Sequence, residues 1–304
     1  MRDNRSLMIF GDKGSCWLTR RLSTPARQQR RSLALALAIA ILSAAPASAA
    51  DVIAAPVSTA NELLREAISK EKLTLSDGYL VWTDRVQKPR GSVTKLMVNT
   101  PQGILSRVIA INDQPLTSEE RRQDDERINR LLDPAKMKDK FKKQQEDREH
   151  VEHLLYAMPD AFECEYAIPA QENTLRLECS PNSAFAPHDY ETQLLLGMKA
   201  EIAIDRTEKR ITRIVGTLFK DVTFGWGFLA RLKSGGRVEI AQSKVAGKHW
   251  GITRLQLNIE GHLVMVKPLH IEETKSCWNY RTVPGMTVEQ ALEFLRSSPV
   301  TAAK

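Results

Sequence analysis

Two histidines three residues apart are the first side chains in this sequence with a chemistry to offer. His150 and His153, flanked by Glu149 and Glu152, would present two imidazoles to a metal from one helical stretch. A metal site also needs a third ligand and a shielded shell. Both histidines fall off the Val151, Leu154 and Leu155 stripe, which turns them to solvent and makes a metal-dependent hydrolase the weakest reading. His262 and His270 share a phase in an extended run, but they stand too far apart along it for one ion. Cys277 has no Cys–His signature around it and reads as a core or interface thiol. The chain has no Gly-x-Ser-x-Gly elbow, Walker-type loop, dinucleotide fingerprint, Cys-x-x-Cys pair or His-Glu-x-x-His. The expectation is a protein without catalytic residues, metal or cofactor.

A binding chemistry is suggested instead by Phe219 to Phe228, which carries Phe219, Phe224, Trp226 and Phe228 with Gly225 and Gly227 around the tryptophan. Glycines beside an aromatic let the backbone turn sharply and leave the ring at a rim. One reading is an aromatic lip on an apolar cavity lined by Trp226, Phe228, Leu263 and Met265. The other is a core bend with aromatics packed under a crossover.

Those residues belong to a stretch, Ala200 to Arg281, in which apolar and polar positions alternate. Ile202 and Ile204 alternate with Glu201 and Asp205, Val238 and Ile240 bracket Glu239, and Leu255, Leu257 and Ile259 step past Gln256 and Asn258. A period of two with one wet and one dry face predicts antiparallel strands. Turns are expected at Arg206–Lys209, Lys233–Gly236, Ala246–Lys248 and Glu260–Gly261, and a phase slip between Ile252 and Leu255 predicts a bulge.

Ahead of the meander, Ser58–Glu62 caps a helix to about Lys70, and strands are expected over Gly78–Val86, Val93–Thr100 and Gly103–Asn112. A charged insertion, 117–158, follows as two helices, Ser118–Leu132 and Pro134–Met158, the second ending at Pro159. That second helix is apolar only near its ends, so its middle should bridge over solvent, either as a docking arm or as a solvated insertion. Tyr190–Met198 is a short helix or a strand. Thr287–Gln290 caps a final helix with Ala291, Leu292 and Leu295 inward.

Residues 1–49 read as an export signal. Arg20, Arg21, Arg27, Arg30 and Arg31 precede an apolar run, Ser32–Ala45, and Ala47-Ser48-Ala49 gives a cleavage point that leaves Ala50 as the mature start. The run is shorter than the roughly 20 residues that span a bilayer, and a retained anchor is the competing reading. Met8 is an alternative start, and no cysteine at the cleavage point supports lipid attachment. The leader holds eight of the 44 Lys and Arg and two of the 37 Asp and Glu, which leaves 36 against 35. Nucleic-acid binding loses its electrostatic support with the leader. The remaining 255 residues form one β-rich domain with no transmembrane segment, in the periplasm or outside the cell. Cys164 and Cys179 lie level in a hairpin turned at Pro169–Asn173, and an oxidising compartment would join them.

The entry Asp113-Gln114-Pro115-Leu116-Thr117, the helix end Met158-Pro159-Asp160-Ala161-Phe162 and the run Asp221-Val222-Thr223-Phe224-Gly225-Trp226-Gly227 together resemble an uncharacterised family of secreted bacterial proteins. In element order the chain is similar, more remotely, to the lipoprotein-carrier and sigma-regulator half-barrels of the periplasm. That resemblance implies an α+β fold, a strongly curved antiparallel sheet (half-barrel) with helices at its ends, and the charged helical hairpin inserted at 117–158 departs from the simple carrier pattern. It also implies an apolar concavity for a lipid or lipoprotein acyl chain. The leading expectation is thus an exported, non-enzymatic carrier of an apolar molecule. The alternative is an envelope-sensing or interaction module that binds another envelope protein through helices 117–158.

Overall fold

The computed structural model describes residues 58–71, 78–168, 173–224, 230–263 and 267–298. The leader and the Ala49–Ala50 cleavage point lie outside them. Among the described residues, thirteen strands form one antiparallel sheet that does not close. Helix α1 (Ala60–Lys70) starts at a Thr59–Glu62 capping box and buries Leu63, Leu64, Ala67 and Ile68. Strands β1 (Leu80–Lys88), β2 (Gly91–Asn99), β3 (Ile104–Ile111) and β4 (Gln114–Pro115) make a first meander. Two helices follow, α2 (Ser118–Arg130) from the expected Thr117–Glu120 capping box and α3 (Pro134–Ala161) from Asp133.

Helix α3 runs three residues past the expected end. Pro159 lies inside it, and the Phe162 amide still reaches the Met158 carbonyl. A proline this close to a C-terminus removes one intrahelical donor without forcing the chain out. The hairpin β5 (Phe162–Tyr166) and β6 (Thr174–Pro181) places Cys164 opposite Cys179, and the two form a disulfide. Tyr190–Leu195 is a short helix, α4. The second meander consists of β7 (Met198–Asp205), β8 (Ile211–Leu218), β9 (Val222–Phe224), β10 (Ala230–Leu232), β11 (Arg237–Ala246), β12 (His249–Leu263) and β13 (Lys267–Thr282). Helix α5 (Val288–Ser297) closes the described chain with Ala291, Leu292 and Leu295 buried, as its spacing predicts.

The strand order β4-β3-β2-β1-β13-β12-β11-β8-β7-β6-β5 shows that β13 joins the two meanders. Strand β1 is therefore central, in keeping with apolar residues on both its faces. The expected bulge is present: Ala241 pairs with Arg254 and Gln242 with Ile252, leaving Thr253 as the extra residue. Two separate cores flank the seam. One packs α1, the end of α3 and α4 on β5–β8, with Phe162, Leu177, Ile202 and Ile204 almost fully buried. The other packs α2, the start of α3 and α5 on β1–β3, through Val81, Val98, Leu105, Ile128 and Leu295.

The insertion is built into both cores rather than standing off them. Met137 and Phe141 enter the second core, and Leu154, Leu155 and Met158 the first. Val151, expected on the inward stripe, is instead exposed. In the middle of α3 Gln144 bonds both backbone groups of Ile104, while Lys142, Lys143, Gln145 and Glu146 around it are exposed.

Candidate functional site

The long strands β11–β13 carry an apolar row on one face, interrupted on β13 by Glu273, the register partner of Leu257. Across them Ile240 pairs with Leu255, Val238 with Leu257 and Ile259 with Ile271, and these side chains are all half-buried. Cross-strand partners share a face, so the six form one ladder. On the opposite face stand Arg254, Asn258, Glu260 and Glu272, all exposed. Ile240 is opposite Ile214, which packs on the first core. At the other end Ile259, Leu263 and Leu269 pack on a third cluster, Leu218, Val222, Phe224, Ala230 and Leu232. Gly261 permits that junction, since a Cβ there would meet the Arg231 carbonyl oxygen at 2.2 Å.

Toward β1 the same face becomes polar. Lys275, the register partner of Leu255 and of Val86, places its Nζ 2.6 Å from Asp84 Oδ2. Asp84 is only 3% exposed, and its Oδ1 is buried without a hydrogen-bond partner. Burial pulls the Lys275 ammonium down, but the Asp84 carboxylate, together with Cys277 and Glu273, outweighs it and holds Lys275 above the ordinary lysine range. Burial, followed by the Asp84 charge, pushes the Cys277 thiol up to about 11. Burial likewise raises Tyr280, whose hydroxyl donates to the Ile252 carbonyl at 2.6 Å and whose ring stacks on Trp82. A thiol held protonated is no nucleophile, so this cluster supports packing rather than covalent catalysis.

Of the residues singled out in the sequence as lining a cavity, Leu263 is half-buried against the third cluster. Trp226, Phe228 and Met265 lie outside the described residues. Of the two histidines of α3, His153 is exposed as expected and His150 is half-buried, and each meets a carboxylate: His150 Nδ1 lies 2.7 Å from Glu191 Oε1, and His153 Nε2 lies 2.7 Å from Asp189 Oδ2, both on α4 or its cap. His262 pairs with Pro268 and His270 with Glu260 in the ladder. Among the described residues no group of three or more His, Cys, Asp or Glu is placed to hold a metal.

Two recesses lie away from the ladder. A groove of about 480 Å³ beside the disulfide is lined by Asn61, Glu163, Glu165, Glu178, Ser180 and Asn182. It opens on a cross-strand acidic row, since Glu165 pairs with Glu178 and Glu178 with Glu201. A smaller one, about 190 Å³, is walled by Thr83, Thr94, Ile109, Trp278 and the Arg85–Asp113 pair. The first is polar at its wall and the second is small, so neither suits an acyl chain. The Asp84–Lys275 margin escaped the sequence reading, because neither residue stands out among so many charges. Compared with protein-family models, curated proteins and solved structures, the chain matches none. Among the described residues no helix is long and apolar enough to cross a membrane.

Proposed function

We propose that this protein is an exported, non-enzymatic binder of an apolar molecule, a lipid or lipoprotein acyl chain, held in the curve of a half-barrel against the ladder of β11–β13. The observation that carries the reading is the set of register pairs Ile240–Leu255, Val238–Leu257 and Ile259–Ile271, which leave six aliphatic side chains half-buried between two cores. Covering such a face releases about 25 cal/mol for each Å² of apolar surface withdrawn from water. The Cys164–Cys179 disulfide supports an oxidising compartment. The Asp84–Lys275 pair ends the ladder on one side and gives an acyl chain a polar limit.

The test is a native mass spectrum of the protein isolated from the envelope of its own cells. A lipid-sized bound mass, removed by organic extraction and lost in Leu255→Asp and Leu257→Asp variants that keep the disulfide, is the expected result. A spectrum of bare protein, together with no uptake of a fluorescent long-chain acyl probe, would overturn the proposal.

A further inference from the structure

At one end of the sheet the two-stranded register between β8 and β11 breaks and resumes between β9 and β10. Thr217 pairs with Arg237 and Val222 with Leu232, and the residues between them leave the ladder as facing bends. The excursion is held firmly. Leu218 donates to the Gly236 carbonyl at 2.8 Å, Gly235 to the Leu218 carbonyl at 2.8 Å, and Phe219 to the Gly197 carbonyl at 3.0 Å. On this platform Phe219 is 46% exposed, although Leu218 and Val222 beside it are buried in the third cluster.

Two ammonium groups flank the exposed ring. Lys199 Nζ lies 5.9 Å and Lys220 Nζ 5.4 Å from its centroid. Neither lysine has a carboxylate partner among the described residues. The nearest acid in sequence, Asp221, is taken by Arg231, whose Nε and Nη2 donate at 2.9 and 2.6 Å, and by the Ser234 amide at 2.8 Å. Of the cations between Phe219 and Arg237, Arg231 pairs with Asp221, Lys233 with Glu260 and Arg237 with Glu239, which leaves Lys220 as the one in this stretch without a carboxylate among the described residues.

The geometry points to this bend as a peripheral membrane contact: Phe219 enters the acyl boundary while Lys199 and Lys220 bind the phosphates of anionic lipids. An aromatic ring is stable at the headgroup level, and lysines on either side extend their charge to that depth. The acidic row ending at Glu201 lies on the Lys199 strand and confines the positive field, which suits a local lipid contact better than a long polyanion. This contact is independent of the acyl-ligand reading, though the ladder reaches the same end of the sheet at Leu263 and Leu269.

Vesicle co-sedimentation tests it, with wild-type and variant proteins taken in the processed form in which they accumulate in their own cells. Vesicles of phosphatidylcholine with about 30 mol % phosphatidylglycerol should bind the protein, and pure phosphatidylcholine should not. Each of Lys199→Ala and Lys220→Ala should weaken partitioning about fivefold, and the pair about 25-fold. Phe219→Ser, at an exposed site, should lower it without altering circular dichroism, and about 0.5 M salt should release the protein. Equal binding to both vesicle types, or variants that bind like the wild type, would overturn the inference. Displacement by millimolar inorganic phosphate would also overturn it, by reducing the bend to a simple anion site.

Discussion

Gln144 and Ile104 form a closed ring of two hydrogen bonds: Gln144 Oε1 accepts from the Ile104 amide and its Nε2 donates to the Ile104 carbonyl, each at 2.8 Å. A side-chain amide thereby does for β3 what a neighbouring strand would do. Its neighbours continue the pattern, with Asp124 accepting from the Val108 amide at 3.2 Å and Arg127 donating to the Ser106 carbonyl at 2.7 Å. At the opposite edge Asn61 accepts from the Cys164 amide at 2.8 Å and donates to the Phe162 carbonyl at 2.7 Å. Exposed sheet edges invite pairing with other chains, and here the open lengths of β3 and β5 are met by polar side chains from helices. Gln144, Asp124 and Arg127 give the charged insertion this work.

Replacing Gln144 with Ala should therefore cost about 1–3 kcal/mol, the penalty for leaving a backbone donor and acceptor unpaired. A lowered urea midpoint at unchanged m-value would show it, and light scattering should detect dimer formation through the opened edge. Retained stability and a monomer would mean that water replaces Gln144 at no cost.

The alternation of Ala200–Arg281, the capping boxes, the Thr253 bulge and the Cys164–Cys179 pairing were all legible in the sequence, because each follows from local periodicity or turn chemistry. The edge seals were not. Gln144 and Ile104 are forty residues apart, and nothing in the KKQQED run distinguishes Gln144 from Gln145, whose amide merely reaches Glu149. The seam was hidden for the same reason, since β1 and β13 pair across nearly the whole described chain. One signal was available and went unread. Arg107 interrupts the apolar run of β3, and a charge in such a place implies a buried partner.

Arg107 is that partner's clamp. Its Nη1 donates to the Leu295 and Arg296 carbonyls at 3.0 and 2.9 Å, and its Nη2 to Asp125 at 2.9 Å, tying α2, β3 and the end of α5 together. Arg107→Ala should lose about 3 kcal/mol, through unpaired carbonyls and lost packing. Hydrogen exchange should locate the loosening in α5 and leave α1 protected.

Reducing the disulfide should cost about 3 kcal/mol in the chain-entropy picture of a fifteen-residue loop. The urea midpoint should fall on adding dithiothreitol, and a Cys164→Ala, Cys179→Ala double variant should show the same fall with no response to reductant. Cys277 gives an internal control. With its thiol pushed up to about 11, it should resist iodoacetamide at pH 8 in the folded protein and react once denaturant exposes it.

Acid should weaken the fold in a defined window. The Arg85 guanidinium holds Asp113 below the usual carboxylate range, and Arg213 does the same for Glu239. A carboxyl lowered by folding contributes stability that is present above its unfolded value, about 4, and is lost as pH falls through the folded value. Urea midpoints should hold from pH 7 to 5 and then drop below about pH 4. Arg213→Gln should shallow that drop, because it removes the largest cause of the Glu239 shift and leaves only Arg237 beside it.

The Asp84–Lys275 pair has the opposite sign. Lys275 is raised by its partner, so its contribution is complete below the unfolded lysine value, about 10.4, and is lost as pH rises through the folded one. Removing one member alone, as in Asp84→Ala, strands an ammonium on an apolar face and should cost about 3 kcal/mol. Replacing both with Leu restores apolar contact and should recover most of that loss, since buried pairs often give no net stability over a hydrophobic substitute. Under the proposed function, a pair that stability does not require is free to serve the polar end of an acyl chain. Accordingly, the double variant should keep its urea midpoint near the wild type while losing selectivity among acyl probes that differ only in the headgroup. Unchanged selectivity would reduce the pair to a packing feature of the seam.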